Sequence, residues 1–104
     1  TPWDITTGVS YNSGHDVNSQ ENTPRGVSFS EDGTQMFVIG TQNDTIYQYT
    51  LSTGFDISTA SYDSKSFSVN SQDSSPASMF FKTDGAKFYI VGYGSDAVYQ
   101  YSVS

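Results

Sequence analysis

The chain has 104 residues, the length of one ordinary domain, and its composition of 35% hydrophobic and 14% charged residues excludes a disordered tail or a coiled coil. Its formal net charge is −7, and the four basic residues are scattered along the sequence. This charge has the wrong sign for a phosphate backbone or an anionic membrane surface, so neither nucleic acid nor a membrane is expected as a partner.

The predicted elements are short strands separated by turns. In chain order they are a weak strand over 8–17, strands over 26–30, 35–40 and 45–51, a second weak strand over 60–69, and strands over 78–82, 87–92 and 97–103. Turns are predicted at Asp32-Gly33, Asn43-Asp44, Asp84-Gly85 and Ser95-Asp96, where Gly, Asn and Asp tolerate the positive φ of tight hairpins. Because no stretch carries a helical period, the sequence predicts an all-β protein.

The whole chain consists of two repeats. Residues 1–52 align on residues 53–104 without a gap, and 18 of the 52 pairs are identical. We call two residues that lie 52 positions apart repeat counterparts. The repeats divide a single domain into units 1–52 and 53–104, and each unit is predicted to supply the strands of one antiparallel sheet.

Two strands, 35–40 and 87–92, are apolar almost throughout. A strand of this kind must be covered on both faces of its sheet, so each sheet needs two neighbours. Four-stranded sheets stacked face to face in a ring meet this requirement. The sequence therefore predicts a β-propeller made of four-stranded blades, with two blades per chain.

The segment "TPRGVSFSEDGTQMFVIGTQNDTIYQYTLST", residues 23–53, resembles the YVTN-type propeller repeat. That repeat runs Pro-x-Gly-Val-x-Phe-Ser-x-Asp-Gly, then an apolar strand, then a strand leading to Leu-Ser-Thr, and residues 75–104 follow it more loosely. "FDISTASYDSKSFSV" resembles the spacer of tandem arrays in phage and marine bacterial proteins. Glu31 and Thr83 stand where the family has proline, and Val-Ile-Gly replaces Val-Thr-Asn. The resemblance implies the propeller fold and little shared chemistry.

Two blades do not close a ring, because propellers have about four to eight. In chain order a blade runs from its inner strand to its outer strand, so residues 75–104 lack an outer strand and residues 8–17 are an outer strand without a blade. We expect the N-terminal strand of one subunit to complete the C-terminal blade of the next. The expected product is a homo-oligomeric ring, a trimer in preference to a tetramer.

Candidates for catalysis or metal binding are weak. His15 is the only histidine, and since its repeat counterpart is Phe67, a packing role is favoured. Asp32 and Asp84 lack the alternating oxygen ligands of a calcium loop and are predicted to be turn residues. The absence of cysteine excludes a disulfide framework and thiolate chemistry. We therefore expect no catalytic residue, no metal, no cofactor and no enzymatic activity.

Polar side chains are expected to gather on one rim of the ring, where propellers usually bind ligands. The predicted rim residues are Gln20, Glu21, Arg25, Gln42, Asn43, Gln72, Asp73 and Tyr93, with Asn18 beside them. Amides, a guanidinium and an aromatic ring suit a sugar-like ligand, although such segments also occur as solvated turns that satisfy their own backbone. Trp3 and its counterpart Phe55 are interpreted as a hydrophobic plug between blades, with a sugar-stacking platform as the alternative.

Taken together, these features predict a non-enzymatic, self-assembling propeller that binds glycans or other polar ligands at its rim. The alternative is a purely structural assembly module, a natural or engineered piece of a propeller with no ligand of its own. No apolar run is long enough to cross a bilayer, and no leader pattern opens the chain, so a soluble protein is expected and no compartment is assigned.

Overall fold

The computed structural model describes residues 3–104, so Thr1 and Pro2 of the predicted first repeat lie outside the described residues. The described part contains seven strands and a single-turn 3₁₀ helix, Ile57–Thr59. The strands are β1 (Pro24–Phe29), β2 (Gln35–Gly40), β3 (Thr45–Leu51), β4 (Ala60–Ser68), β5 (Pro76–Phe81), β6 (Lys87–Gly92) and β7 (Ala97–Ser102). None of the described helical segments has the length and apolar character needed to cross a membrane.

The strands form two antiparallel sheets. The first sheet has the order β1-β2-β3-β4 and the second has the order β5-β6-β7. The predicted all-β class is therefore confirmed, and the seven strands lie within two residues of their predicted bounds.

The prediction of a strand over 8–17 is wrong for the single chain. Residues 9–17 form no strand in the structure. Their repeat counterpart β4 forms because β3 offers it an edge, and the two strands pair from Thr45↔Ser68 to Leu51↔Ala60. A strand requires such a neighbour to satisfy its backbone groups, and residues 9–17 have none within the described part of the chain.

The two sheets repeat the same backbone irregularities at counterpart positions. The pairs Pro24↔Gly40 and Pro76↔Gly92 begin the first ladder of each sheet, and each is followed by a register shift. Gly33 and Gly85 have φ of 73° and 74°, and the turn residues Asp44 and Asp96 have φ of 53° and 54°. The predicted turns are confirmed, and in both Asp-Gly hairpins the left-handed position is taken by glycine, which adopts it without strain.

The two sheets pack face to face. Ile39 and Ile46 of the first sheet join Met79, Phe88 and Ile90 of the second in one buried cluster. The same cluster includes Val69, in the link between the sheets, and the rings of Phe37 and Phe81 lie 4.4 Å apart between their centroids. Burial of each large aliphatic side chain stabilises the fold by about 1.5–3 kcal/mol, so this cluster holds the sheets together.

The first sheet is buried on its other face as well. Met36, Val38, Tyr49 and Leu51 form a second cluster, against which Val17 from the N-terminal segment packs. We call this the outer cluster of the first sheet. Since Met36 and Val38 lie on one face of β2 and Ile39 on the other, the predicted burial of this strand on both faces is confirmed.

The second sheet leaves one face uncovered. Phe80, Val91 and Val98 point away from the first sheet and are 69%, 41% and 69% exposed. The counterparts of Val91 and Val98 are Ile39 and Ile46, which are 0% and 6% exposed because the second sheet covers them. We call the surface of Phe80, Val91 and Val98 the open face; it is a contiguous apolar patch of the kind that marks interaction sites.

Candidate functional site

Four predicted rim residues come together in one loop cluster beside the β2–β3 turn. Oε1 of Gln20 accepts a hydrogen bond from the Tyr49 hydroxyl at 2.8 Å, and the main-chain oxygen of Gln20 accepts one from Nδ2 of Asn43 at 3.3 Å. Oε2 of Glu21 accepts from the main-chain amide of Gln42 at 3.0 Å. These polar groups therefore bind one another and hold the loop in shape.

The second sheet has the same arrangement at the counterpart positions. Oε1 of Gln72 accepts from the Tyr101 hydroxyl at 2.7 Å. Oδ1 of Asp73 accepts from the amides of Ser75 at 2.7 Å and Gly94 at 3.1 Å. Gln72 and Asp73 thus brace the β6–β7 turn as Gln20 and Glu21 brace the β2–β3 turn.

Glu21 and Asp73 are buried, although both were predicted on an accessible rim. Their relative exposures are 0% and 1%, and each carboxylate accepts hydrogen bonds from backbone amides of its own loop. Gly40 and Gly92 make this possible, because a Cβ at either position would lie within 2.6 Å of the carboxylate side chain. In the single chain both carboxylates stabilise their own loops.

The side chains of Arg25 and Tyr93 do not join these hydrogen-bonded clusters. Tyr93 is 58% exposed on the β6–β7 turn, where its main-chain amide donates to the oxygen of Ser75 at 3.2 Å. Arg25 is exposed and lines a groove of about 310 Å³ with His15 and Val38. The predicted rim residues therefore occupy three places, and the side chains that remain exposed are those of Arg25, Gln42, Asn43, Gln72 and Tyr93.

His15 packs against an aromatic ring of the first sheet. The centroids of the His15 and Tyr49 rings are 5.8 Å apart with an interplanar angle of 79°. The counterpart rings, Phe67 and Tyr101, are 5.7 Å apart at 83°. The His15 ring therefore packs against the first sheet in the way that the Phe67 ring packs against the second.

The Asp-Gly turns use their carboxylates locally. Oδ1 of Asp32 accepts from the amide of Thr34 at 3.0 Å, and these hydrogen bonds, with others from the Thr34 and Ser30 hydroxyls, hold the pKa of Asp32 below its usual value. The Lys82 ammonium beside Asp84, 2.6 Å away, lowers the pKa of that carboxyl in the same way. Across residues 3–104 no cluster of three or more histidine, aspartate or glutamate side chains could hold a metal ion.

A cleft of about 650 Å³ opens between the two sheets. Its apolar wall includes Phe37, Phe67 and Tyr101, and Lys65 and Lys82 lie at its polar side. The sequence did not predict this cleft, because its residues come from six strands that the linear pattern does not bring together.

The edge of β7 and the segment before residue 15 are both unpartnered among the described residues. β7 pairs only with β6, whereas its counterpart β3 pairs with both β2 and β4. Residues 3–14 carry apolar side chains that are almost wholly exposed: Trp3, Ile5, Val9 and Tyr11. An uncovered strand edge is a template for pairing with another chain, so this edge is the second candidate site.

No family model matches the chain, and no curated protein matches it either. The resemblance to the YVTN-type repeat stays a prediction.

The tyrosine–glutamine hydrogen bonds and the buried carboxylates were missed at the level of sequence. The repeat alignment carried the signal for the first pair, because Gln20, Tyr49 and their counterparts are identical in both units. A polar residue and an aromatic residue that are retained together in both repeats indicate a shared internal contact.

Tyr49→Phe is expected to make the protein less sensitive to alkaline pH. Burial, with nearby Tyr62 and Tyr47, raises the pKa of Tyr49 to about 12, against about 10 for an unfolded tyrosine. Between these values the unfolded chain loses the proton and the folded chain keeps it, so the free energy of unfolding falls as pH rises from about 10 to about 12, by on the order of 2 kcal/mol.

Urea unfolding at a series of pH values measures this effect. In Tyr49→Phe the fall in the free energy of unfolding at alkaline pH should be smaller by that amount. At neutral pH the variant should be less stable by about 1 kcal/mol, because it lacks the hydrogen bond to Gln20. Tyr11→Phe is the control, because it removes the same hydroxyl from an exposed side chain. Equal alkaline falls in the wild type and Tyr49→Phe would contradict the assignment.

Proposed function

We propose that this chain is a non-enzymatic β-propeller unit that assembles with copies of itself into a closed ring and presents the ring's rim for binding. Each sheet is one blade, and three chains with six blades are favoured over four chains with eight. The observation that supports this most strongly is that the open face and the free β7 edge correspond, residue for residue, to surfaces that the first sheet has covered.

The sheet-to-sheet contact within the chain supplies the pattern for a contact between chains. Within the chain, the face of Ile39 and Ile46 packs on the face of Phe88 and Ile90. The counterpart of the first face is the open face. The counterpart of the second face is the outer cluster of the first sheet. The open face of one copy is therefore suited to pack on the outer cluster of the next, with the same relative geometry.

The N-terminal segment has the position that such a contact requires. Val69 follows β4 and packs between the sheets, and its counterpart Val17 packs on the outer cluster of the first sheet. The residue two positions earlier also matches, because the His15 ring contacts Tyr49 as the Phe67 ring contacts Tyr101. A neighbouring copy seated on the outer cluster would bring its β7 edge beside residues 8–14, which would then form the fourth strand of that copy's second sheet.

The proposed contact is head-to-tail, so it closes when the rotation between copies divides a full turn. It combines an apolar blade face with a completed strand ladder. An interface of this kind resembles a domain core cut in two and is typical of obligate oligomers. The function of the chain would then depend on assembly.

The proposed binding surface is the rim formed by the β2–β3 and β6–β7 turns. Tyr93 offers an aromatic face, and Gln42 and Asn43 offer amides on an exposed turn. An aromatic ring on one turn and amides on the other suit the apolar face and the hydroxyls of a glycan. Repetition around the ring would raise a weak single-site affinity through multivalency.

A purely structural role is the second candidate, and the loop clusters favour it. The amides of Gln20, Gln72 and Asn43 already bind tyrosine hydroxyls or backbone within their own loops. Groups that are satisfied internally contribute little to ligand affinity. On this alternative the ring assembles and binds nothing at its rim.

Two measurements test the proposal. Light scattering coupled to size-exclusion chromatography should give three times the chain mass of 11.4 kDa, or four times for the eight-blade ring. A glycan array probed with the assembled particle should give binding that Tyr93→Ala removes. A ring with a blank array would favour the structural alternative, and a folded monomer at all concentrations would overturn both.

A further inference from the structure

We infer that Trp3 of one copy covers the Asp84-Gly85 turn of the neighbouring copy and that this contact is a main anchor of the assembly. The inference rests on the proposed ring and names the residue through which the N-terminal segment docks. It follows from a comparison of two hairpin turns, one of which is covered within the chain while the other is bare.

The covered turn belongs to the first sheet. The ring of Phe55 lies directly over Gly33, so close that a Cβ on Gly33 would be 2.3 Å from the ring. The amide of Phe55 donates to the oxygen of Gly33 at 2.9 Å, and the rings of Phe55 and Phe29 are 5.7 Å apart. The segment after β3 therefore closes the first hairpin with an aromatic side chain.

The bare turn belongs to the second sheet. Gly85 has the same left-handed φ as Gly33, and a Cβ added there would meet no atom within 4 Å. The hydrogen bonds next to the two turns also match. The amide of Val103 donates to the main-chain oxygen of Ala86 at 2.8 Å, and the amide of Leu51 donates to that of Thr34 at the same distance. The second hairpin thus has the geometry of the first without its aromatic cover.

Trp3 is the repeat counterpart of Phe55 and already has its conformation. The φ of Trp3 is 70° and that of Phe55 is 61°, a region that non-glycine residues rarely adopt. Oδ1 of Asp4 accepts from the amide of Thr6 at 2.9 Å, as Oδ1 of Asp56 accepts from Ser58 at 3.1 Å. The turn that presents Phe55 is therefore also formed around Trp3.

The apolar side chains of this N-terminal turn are exposed in the single chain. Trp3 is fully exposed and Ile5 is 88% exposed, whereas Ile57, the counterpart of Ile5, packs on the outer cluster of the first sheet. A pre-ordered turn loses little conformational entropy on docking, so the burial of its indole contributes more of its free energy to binding. The open space above Gly85 accommodates the larger ring that replaces phenylalanine.

Trp3 is the only tryptophan in the chain, so its fluorescence reports the contact directly. The emission maximum and acrylamide quenching of the wild type are followed through dilution, with the particle mass measured by light scattering on the same samples. Phe55 is 61% exposed in the covered turn, whereas Trp3 is fully exposed in the single chain. We therefore expect the emission of the ring to be blue-shifted and less readily quenched than that of dissociated chains.

Variants separate this inference from the proposed function. Trp3→Phe restores the residue of the covered turn and should leave assembly nearly intact, and Trp3→Ala should raise the dissociation constant of the assembly about 10-fold to 100-fold. Because Trp3 is exposed in the single chain, neither variant should change its fold. A ring whose tryptophan stays freely quenched, or one unaffected by Trp3→Ala, would overturn the inference and leave the proposed function standing. A wild type that is monomeric at all concentrations would overturn the proposed function itself.

Discussion

Replacing Val98 with lysine is expected to dissociate the assembly while leaving each chain folded. Val98 lies on the open face and is 69% exposed, so a lysine there stays solvated in the single chain and changes its stability by less than about 0.5 kcal/mol. In the proposed ring the same position is buried as its counterpart Ile46 is buried. Burial of an unpaired ammonium is strongly unfavourable, and the dissociation constant should rise at least about 100-fold.

Light scattering and circular dichroism measure the two parts of this expectation. Ser61→Lys is the matched control, because it adds the same charge on the exposed side of β4, outside the proposed contact. Val98→Lys should be monomeric with an unchanged β spectrum, and Ser61→Lys should assemble as the wild type does. A Val98→Lys particle of wild-type mass would show that the open face is not the interface.

Ile39→Ala is expected to cost about 2–5 kcal/mol of chain stability, the range for large-to-small changes in a packed core. Ile39 is fully buried between the sheets. This cost is a large share of the about 5–15 kcal/mol that holds a domain folded. The counterpart substitution, Val91→Ala, should cost less than about 1 kcal/mol in the dissociated chain, because Val91 is 41% exposed there.

The comparison is made by urea unfolding in the Val98→Lys background, where association does not contribute. In a chain that keeps Val98, Val91→Ala should also weaken assembly, because the open face is buried in the ring. Equal costs for the two alanine variants in dissociated chains would mean that the second sheet is covered within one chain, contrary to the structure.

The sequence predicts the strands and turns of this protein well because each signal is local. The Asp-Gly dipeptides fix two hairpins through the conformational freedom of Gly33 and Gly85, and the apolar runs define β2 and β6. The repeat then doubles every such signal. The predicted strand 8–17 does not form, because a strand depends on a distant neighbour and not on local sequence. Its counterpart β4 has the edge of β3 to pair with.

The candidate site is less predictable, because the sequence does not distinguish polar residues that stabilise a loop from polar residues that bind a ligand. Glu21 and Asp73 are carboxylates in polar stretches, yet both are buried against backbone amides. Gln20 and Gln72 are recognisable as internal only when their tyrosine partners, 29 positions later, are known. Three-dimensional pairing decides their role.

In the proposed ring, residues 8–14 of one copy form the fourth strand beside β7 of another. The pair Thr50↔Ser61 in the first sheet has Ser102 and Val9 as its counterparts. Cross-strand Cα atoms lie about 4.5–5.5 Å apart, within the range that a disulfide spans. Because the chain has no cysteine, any disulfide must join introduced residues.

The most direct measurement mixes two single variants, Ser102→Cys and Val9→Cys, under mild oxidation and separates the products on a non-reducing gel. We expect a covalent dimer containing one chain of each variant. Little of this dimer should form when Val9→Cys is replaced by Ser10→Cys, which lies on the opposite face of the strand. Failure of the Ser102→Cys and Val9→Cys chains to cross-link in an assembled particle would contradict strand exchange between copies.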